Sequence, residues 1–153
     1  MSISQAQSGS GRQHHPQHHP WTVLWAVNMA AAVVARADGV VHPAERVRLG
    51  AYLQSCGLDK RASPIGRGLF DKCLRELERE PVNDQSMLSR VLAGFDETPW
   101  ARIILRAAAQ VAAADGTVDR AETRVIATIR IILHLPSVAP ESCAAARLWL
   151  ARA

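Results

Sequence analysis

The sequence predicts an all-α protein, a compact bundle of about seven helices that contains two pseudo-symmetric helix-loop-helix hairpins. Hydrophobic residues make up 48% of the 153 residues, but aromatic residues make up only 5%. Much of the apolar content is alanine, which favours helices, whereas the residues typical of strands are scarce. A segment of fifteen residues occurs twice, and this duplication predicts the two hairpins.

One helical domain, residues 21–153, is expected behind a disordered tail rich in His, Gln and Ser, residues 1–20. The tail lacks the charged and apolar pattern of a signal peptide. The first predicted helix runs from Trp21 to Ala37 and is apolar on nearly every side, which predicts a central position in the bundle. It is too short to cross a bilayer, which takes about 20 residues. An Asp-Gly pair ends it.

The remaining predicted helices have start and stop signals of their own. Proline suits the first turn, Ser or Thr suits the N-cap, and glycine suits the end of a helix. Apolar residues recur at helical spacing between these signals. The predicted helices run from Pro43 to about Ser55, from Ser63-Pro64 through Leu77, over Met87 to Phe95, from Thr98-Pro99 to Asp115, from Asp119 to Leu133, and from about Val138 to Leu150.

The charge balance disfavours nucleic acid as a partner. A net charge of +4, from 18 basic against 14 acidic residues, is small and dispersed, and it does not favour nucleic-acid binding. One basic cluster could hold an anionic ligand, but a solvated helix face is the favoured interpretation. That cluster consists of Arg46, Arg48, Lys60, Arg61 and Arg67.

Two further observations bear on the class of protein. No nucleophile-and-base pattern or phosphate-binding loop is present in the sequence, so the chain is not expected to be an enzyme. Cys56, Cys73 and Cys143 have neither a disulfide nor a zinc-site spacing. They are expected to be buried thiols in a reducing, cytoplasmic location.

The duplicated segment covers residues 31–45 and 108–122, which match at ten of fifteen positions with an offset of 77 residues. Both copies contain Asp-Gly-x-Val-x-x-Ala-Glu. Gly39 and Gly116 are expected to end a helix, while Val41 and Val118 are expected to attach each loop to the core.

The acidic residues of the two copies allow two interpretations. They are Asp38, Glu45, Asp115, Asp119 and Glu122, and they supply the oxygen ligands preferred by Ca²⁺ or Mg²⁺. The first and third ligand positions of an EF-hand are missing, however, and helix capping explains the glutamates locally, as in the capping box Asp119-x-x-Glu122. Capping is the favoured interpretation. A divalent cation such as Ca²⁺ is the candidate cofactor, and both interpretations hold if the two loops meet at one face.

The motif Ala-Asp-Gly-x-Val-x-x-x-Glu, at residues 37–45 and 114–122, resembles that of the TerB-like tellurite-resistance family. It also resembles the amino-terminal module of DnaJ-like membrane co-chaperones. The resemblance covers about residues 21–150 and implies a bundle of about seven helices in a cytoplasmic accessory protein of tellurite or metal-stress responses. It implies divalent-cation binding at Asp38, Glu45, Asp115 and Glu122, and protein partners that include membrane-associated ones. A structural helical adaptor and a co-chaperone-type interaction module are the alternatives, and no transmembrane segment is predicted.

A tract of paired histidines lies in the tail, at His14, His15, His18 and His19. Imidazole clusters bind Zn²⁺, Ni²⁺ or Cu²⁺. No cysteine or carboxylate lies close in sequence to complete a site. A polar tract without a metal role is therefore the favoured interpretation.

Overall fold

A computed structural model describes residues 18–58, 68–79, 83–96 and 98–136, which form six helices joined by turns, with no strand in these ranges. The helices are α1 Pro20–Ala35, α2 Pro43–Ser55, α3 Leu69–Arg79, α4 Asp84–Val91, α5 Pro99–Ala112 and α6 Arg120–Ile132. The predicted all-α class is confirmed. Most of the predicted tail, the Ser63-Pro64 helix start and the seventh predicted helix lie outside the described residues, so the count of seven stays a prediction.

Helix α1 is the central element of the bundle, as its composition predicts. It begins at Pro20 in the first turn, where the Nδ1 atom of His19 accepts a hydrogen bond from the Trp21 amide at 3.3 Å. Every residue from Ala26 to Ala35 is buried, and the helix packs against α3, α4, α5 and α6. Alanines on α1 and α5 have no side chain beyond Cβ, so the two helices can approach closely and exclude water along their length.

Helix α4 ends earlier than the sequence predicts. It stops at Val91, whereas the apolar periodicity extends to Phe95. Leu92 and Phe95 are each only 1% exposed, but they lie in a turn in which Gly94 has a φ of +81°. The spacing of apolar residues indicates which residues are buried but not the path of the backbone, because a turn can bury apolar residues as a helix does.

The side chain of Arg36 joins three helices. It follows the last residue of α1, and its guanidinium donates to the Leu77 carbonyl of α3 at 2.7 Å and to the Asp84 carboxylate of α4 at 2.9 Å. A planar guanidinium with several donors suits such a junction, because one group can satisfy a helix-end carbonyl and a carboxylate together.

The cysteines divide between the core and the surface. Cys73 is fully buried, as expected, and burial raises the pKa of its thiol to about 12. Cys56 is exposed just after the end of α2, so the expectation of a buried thiol is wrong there. Cys143 lies outside the described residues. Within the described ranges, no helix is long and apolar enough to cross a membrane.

Candidate functional site at the two Asp-Gly loops

The two Asp-Gly loops, residues 36–42 after α1 and residues 113–119 after α5, repeat the same hydrogen bonds at the 77-residue offset. Gly39 donates to the Arg36 carbonyl at 3.0 Å, and Gly116 donates to the Ala113 carbonyl at 3.3 Å. The two glycines have φ values of +87° and +92°, a left-handed conformation that suits glycine after a helix. The sequence duplication is therefore a duplication of backbone structure. A twofold axis relating the two hairpins stays a prediction.

Each aspartate of the Asp-Gly pair folds its own loop. The Asp38 carboxylate accepts a hydrogen bond from the Val40 amide at 2.9 Å, and the Asp115 carboxylate accepts one from the Thr117 amide at 2.9 Å. The hydrogen bond from Thr117 lowers the pKa of Asp115 from its ordinary value. Both aspartates are exposed, so one edge of each carboxylate closes the turn while the group stays in contact with solvent.

Each glutamate of the motif caps the helix that follows its loop. Glu45 accepts a hydrogen bond from the His42 amide at 2.6 Å, and Glu122 accepts one from the Asp119 amide at 2.8 Å. In the second copy the Asp119 carboxylate also accepts from the Ala121 amide. The glutamates are only 4% and 7% exposed. Two carboxylates are thus held out of water, each by the amide at the N-cap of its own helix.

The charges of the two loops act on each other. Burial raises the pKa of Glu45; the hydrogen bond from the His42 amide opposes this shift, and the charges of Glu122 and Asp38 add to it. Burial likewise raises the pKa of Glu122, against the hydrogen bond from Asp119 and together with the charges of Asp38 and Asp115. Because the charge of Asp38 acts on Glu122, the two loops lie near each other. Their acidic residues are called the two-loop face below: Asp38, Glu45, Asp115, Asp119 and Glu122.

A family model described as Tellurite resistance protein TerB matches residues 25–147. The chain belongs to the TerB family. The match begins within α1, includes α2 to α6 and contains both copies of the motif, so the resemblance predicted from the two motifs is confirmed. The comparisons with curated proteins and with solved structures gave no match.

In this TerB-family chain the predicted capping is confirmed in both copies, but the predicted valine packing holds for one copy only. Val41 packs against the core, whereas Val118 is 52% exposed. In the first copy it is Val40, the residue after the glycine, that is 56% exposed. Each loop therefore presents one valine to solvent, a feature that the alignment of Val41 with Val118 does not predict.

The charges of Asp38, Asp115 and Asp119 act on Glu122, and those of Glu122 and Asp38 act on Glu45, but the five side chains do not converge on one point. Among the residues that the structure describes, no group of three or more His, Cys, Asp or Glu side chains could hold a metal ion. In this TerB-family chain one carboxylate oxygen of each motif glutamate accepts the hydrogen bond that caps a helix, and Asp38 and Asp115 each accept one that closes a turn. Cation binding at the two-loop face would need these side chains to turn towards a common centre.

Proposed function

We propose that this TerB-family chain is a non-enzymatic, cytoplasmic accessory protein of a tellurite or metal-stress response that acts through protein contacts at the two-loop face, where a divalent cation such as Ca²⁺ can bind. Membership of the family supports the response type. The observation that carries the proposed site is the placement of two buried, capping carboxylates, Glu45 and Glu122, beside the exposed aspartates of both loops.

The electrostatics of the two-loop face favour a cationic ligand. Burial raises the pKa of Glu45 and of Glu122, and repulsion from the neighbouring carboxylates adds to this shift. A divalent cation or the basic side chain of a partner would remove the repulsion and strengthen the face. Carboxylate oxygens bind hard cations such as Ca²⁺ or Mg²⁺ in preference to softer metal ions.

The exposed valines favour a protein partner over a free cation alone. Val40 and Val118 are each more than half exposed, one on each loop, beside the acidic residues. Apolar groups beside charges of one sign are typical of protein interfaces, in which a buried apolar contact is surrounded by polar pairs. The expected partner segment therefore carries basic and apolar side chains.

A structural helical adaptor, or a co-chaperone-type interaction module, is the second candidate. The completeness of the two caps favours it, because capping alone accounts for both glutamates and both aspartates without a ligand. In this case the two-loop face would be a rigid end of the bundle, and a different surface would bind the partner.

A calcium titration followed by amide NMR separates the two candidates. The cation proposal expects saturable shifts at Asp38, Gly39, Asp115 and Gly116, and their loss in the double variant E45Q/E122Q. The matched control is Glu78→Gln, which removes an exposed carboxylate on α3. Unchanged loop amides at saturating Ca²⁺ would remove the cation from the proposal and leave the adaptor.

The partner part of the proposal has a separate test. The chain is used to capture partners from native lysate with and without chelator, and the captured proteins are compared with those of the double variant V40S/V118S. The matched control is Val47→Ser, which changes a valine on α2 that is 73% exposed. We expect V40S/V118S to lose partners that V47S retains; equal recovery by all three proteins would contradict an interface at the two-loop face.

A further inference from the structure

The outer side of α2 is exposed and uncharged, and it is called the α2 face below. Its residues follow one another at helical spacing and therefore lie on one side of the helix. They are Ala44, Val47, Gly50, Ala51 and Gln54, and all five are exposed. Val47 is 73% exposed, more than any other large apolar side chain in the described part of the chain. The opposite side of α2 packs mainly against α5, so the α2 face is open to another molecule.

Packing within the chain does not explain the glycine in the middle of this face. Gly50 lies inside α2, and none of the described groups outside the helix is within 4 Å of the position that a Cβ would occupy there. Glycine destabilises the interior of a helix relative to alanine, and it is used where another group must approach the backbone closely. Gly50 therefore leaves a gap on the α2 face, about one turn after Val47.

The second copy of the duplicated unit provides an internal comparison. Helices α2 and α6 both have 13 residues, and their first residues are 77 positions apart, as the two motifs are. At this offset the residues of α2 and their counterparts on α6 are Val47 and Arg124, Gly50 and Ala127, and Ala51 and Thr128. The duplicated unit thus accepts a charged residue in place of Val47 and a Cβ in place of Gly50. The apolar side chain and the gap beside it are specific to α2, which indicates a role that α6 does not have.

The charged residues of α2 are directed away from this face. Arg46 donates to the Asp71 carboxylate of α3 at 2.9 Å, and Arg48 donates to the side-chain oxygen of Gln110 on α5 at 2.8 Å. Glu45 is buried and caps the first turn of the helix. Two copies of the α2 face can therefore meet without placing like charges opposite each other, which favours a second copy of the chain over an acidic or a basic partner.

We propose that two copies of this chain associate through the α2 face, with the two α2 helices antiparallel about a twofold axis. Each Val47 then packs into the gap at Gly50 of the other copy, and the symmetry produces this contact twice. A projecting and a recessed position one turn apart make the face complementary to itself, and the missing Cβ lets the two helices approach closely. The α2 face contains no residue of the two-loop face, so this association is independent of the proposed function.

The test is sedimentation equilibrium of the full chain under reducing conditions. Concentrations extend to about 1 mM, because a contact of one helix of about 20 Å per copy is small and is expected to be weak. The decisive variant is Gly50→Gln, which fills the gap with a better helix former, so that lost association cannot result from a weakened fold. We expect G50Q and V47S each to weaken dimerisation at least about tenfold, since each change acts twice in a twofold dimer. The matched controls, Arg124→Ser on α6 and V40S/V118S at the two Asp-Gly loops, should dimerise as the wild type does.

The antiparallel arrangement has its own readout. A spin label on Cys56, which is exposed just after the end of α2, is attached in a Cys143→Ser background and mixed with ¹⁵N-labelled chain. Antiparallel helices bring opposite ends together, so the label should broaden the amide signal of Ala44 in the other copy. Broadening at Ser55 instead would indicate parallel helices and overturn the proposal. A wild type that stays monomeric at every concentration, or dimerisation that is unchanged in either G50Q or V47S, would overturn it too.

Discussion

Replacing Glu122 with alanine or with glutamine distinguishes the contribution of the capping hydrogen bond to stability from that of the negative charge. Glu122 is 7% exposed, and its Oε2 accepts from the Asp119 amide at 2.8 Å. Alanine leaves this amide without an acceptor. We expect the free energy of unfolding to fall by about 2 kcal/mol, a value between the usual cost of losing a helix cap and the cost of leaving a buried donor without a partner. Glutamine offers a carbonyl oxygen at the same place. It keeps the hydrogen bond and removes the repulsion from Asp38 and Asp115.

The expected stability of E122Q is within about 0.5 kcal/mol of that of the wild type. Loss of the favourable interaction with the dipole of α6, about 0.5 kcal/mol, is offset by relief of repulsion and of the burial of a charge. Urea unfolding at pH 7 in chelator measures both variants. With a slope near 2 kcal/mol per molar urea, E122A should shift the midpoint by about 1 M, and E122Q by less than about 0.3 M. If E122Q is as unstable as E122A, the reasoning from repulsion is wrong and the negative charge itself stabilises the helix.

The same carboxylates predict how stability depends on pH. The pKa values of Glu45 and Glu122 are raised above the ordinary value of 4.5, so the folded state holds their protons more tightly than the unfolded state does. The contribution of these protonated carboxyls to the free energy of unfolding is fully present below pH 4.5 and is lost as pH rises through the folded pKa values. Stability should therefore fall as pH rises above 4.5 through the raised folded pKa values, and E45Q/E122Q should abolish most of this slope. Asp115, whose pKa is lowered, acts in the opposite direction and only below this range.

Three further predictions concern the scaffold, and urea unfolding measures each. Arg36→Met removes two hydrogen bonds between helices and should cost about 2 kcal/mol; a loss below about 0.5 kcal/mol would contradict the role of Arg36 as a junction. Gly116→Ala should cost about 1 kcal/mol because of its φ of +92°, whereas Gly50→Ala, in the open middle of α2, should stabilise by about 0.5 kcal/mol; equal effects would contradict the backbone explanation. Phe95→Ala should cost about 3 kcal/mol and move the ring signals of His18, and unchanged His18 signals would contradict their stacking.

The sequence alone predicts the features of this TerB-family chain that are local or periodic. The apolar content of α1 predicts its central position, because a helix without a polar face must be covered on all sides. The repeated motif predicts both Asp-Gly turns and both capping glutamates, since each of these hydrogen bonds joins residues no more than three positions apart. Local geometry of this kind follows from residue type and spacing.

Other features depend on the tertiary structure, because they join residues that are distant in the chain. Periodicity does not reveal that Phe95 is buried in a turn, that Arg36 reaches Asp84, or that His18 lies on Gly94. Nor does the motif predict that Asp38 of one loop acts on Glu122 of the other. Burial and Coulomb interactions depend on distances through space, and these are set only when the helices pack. The sequence therefore determined the two loops one by one, and the packing of α1 with α5 and α6 made them one face.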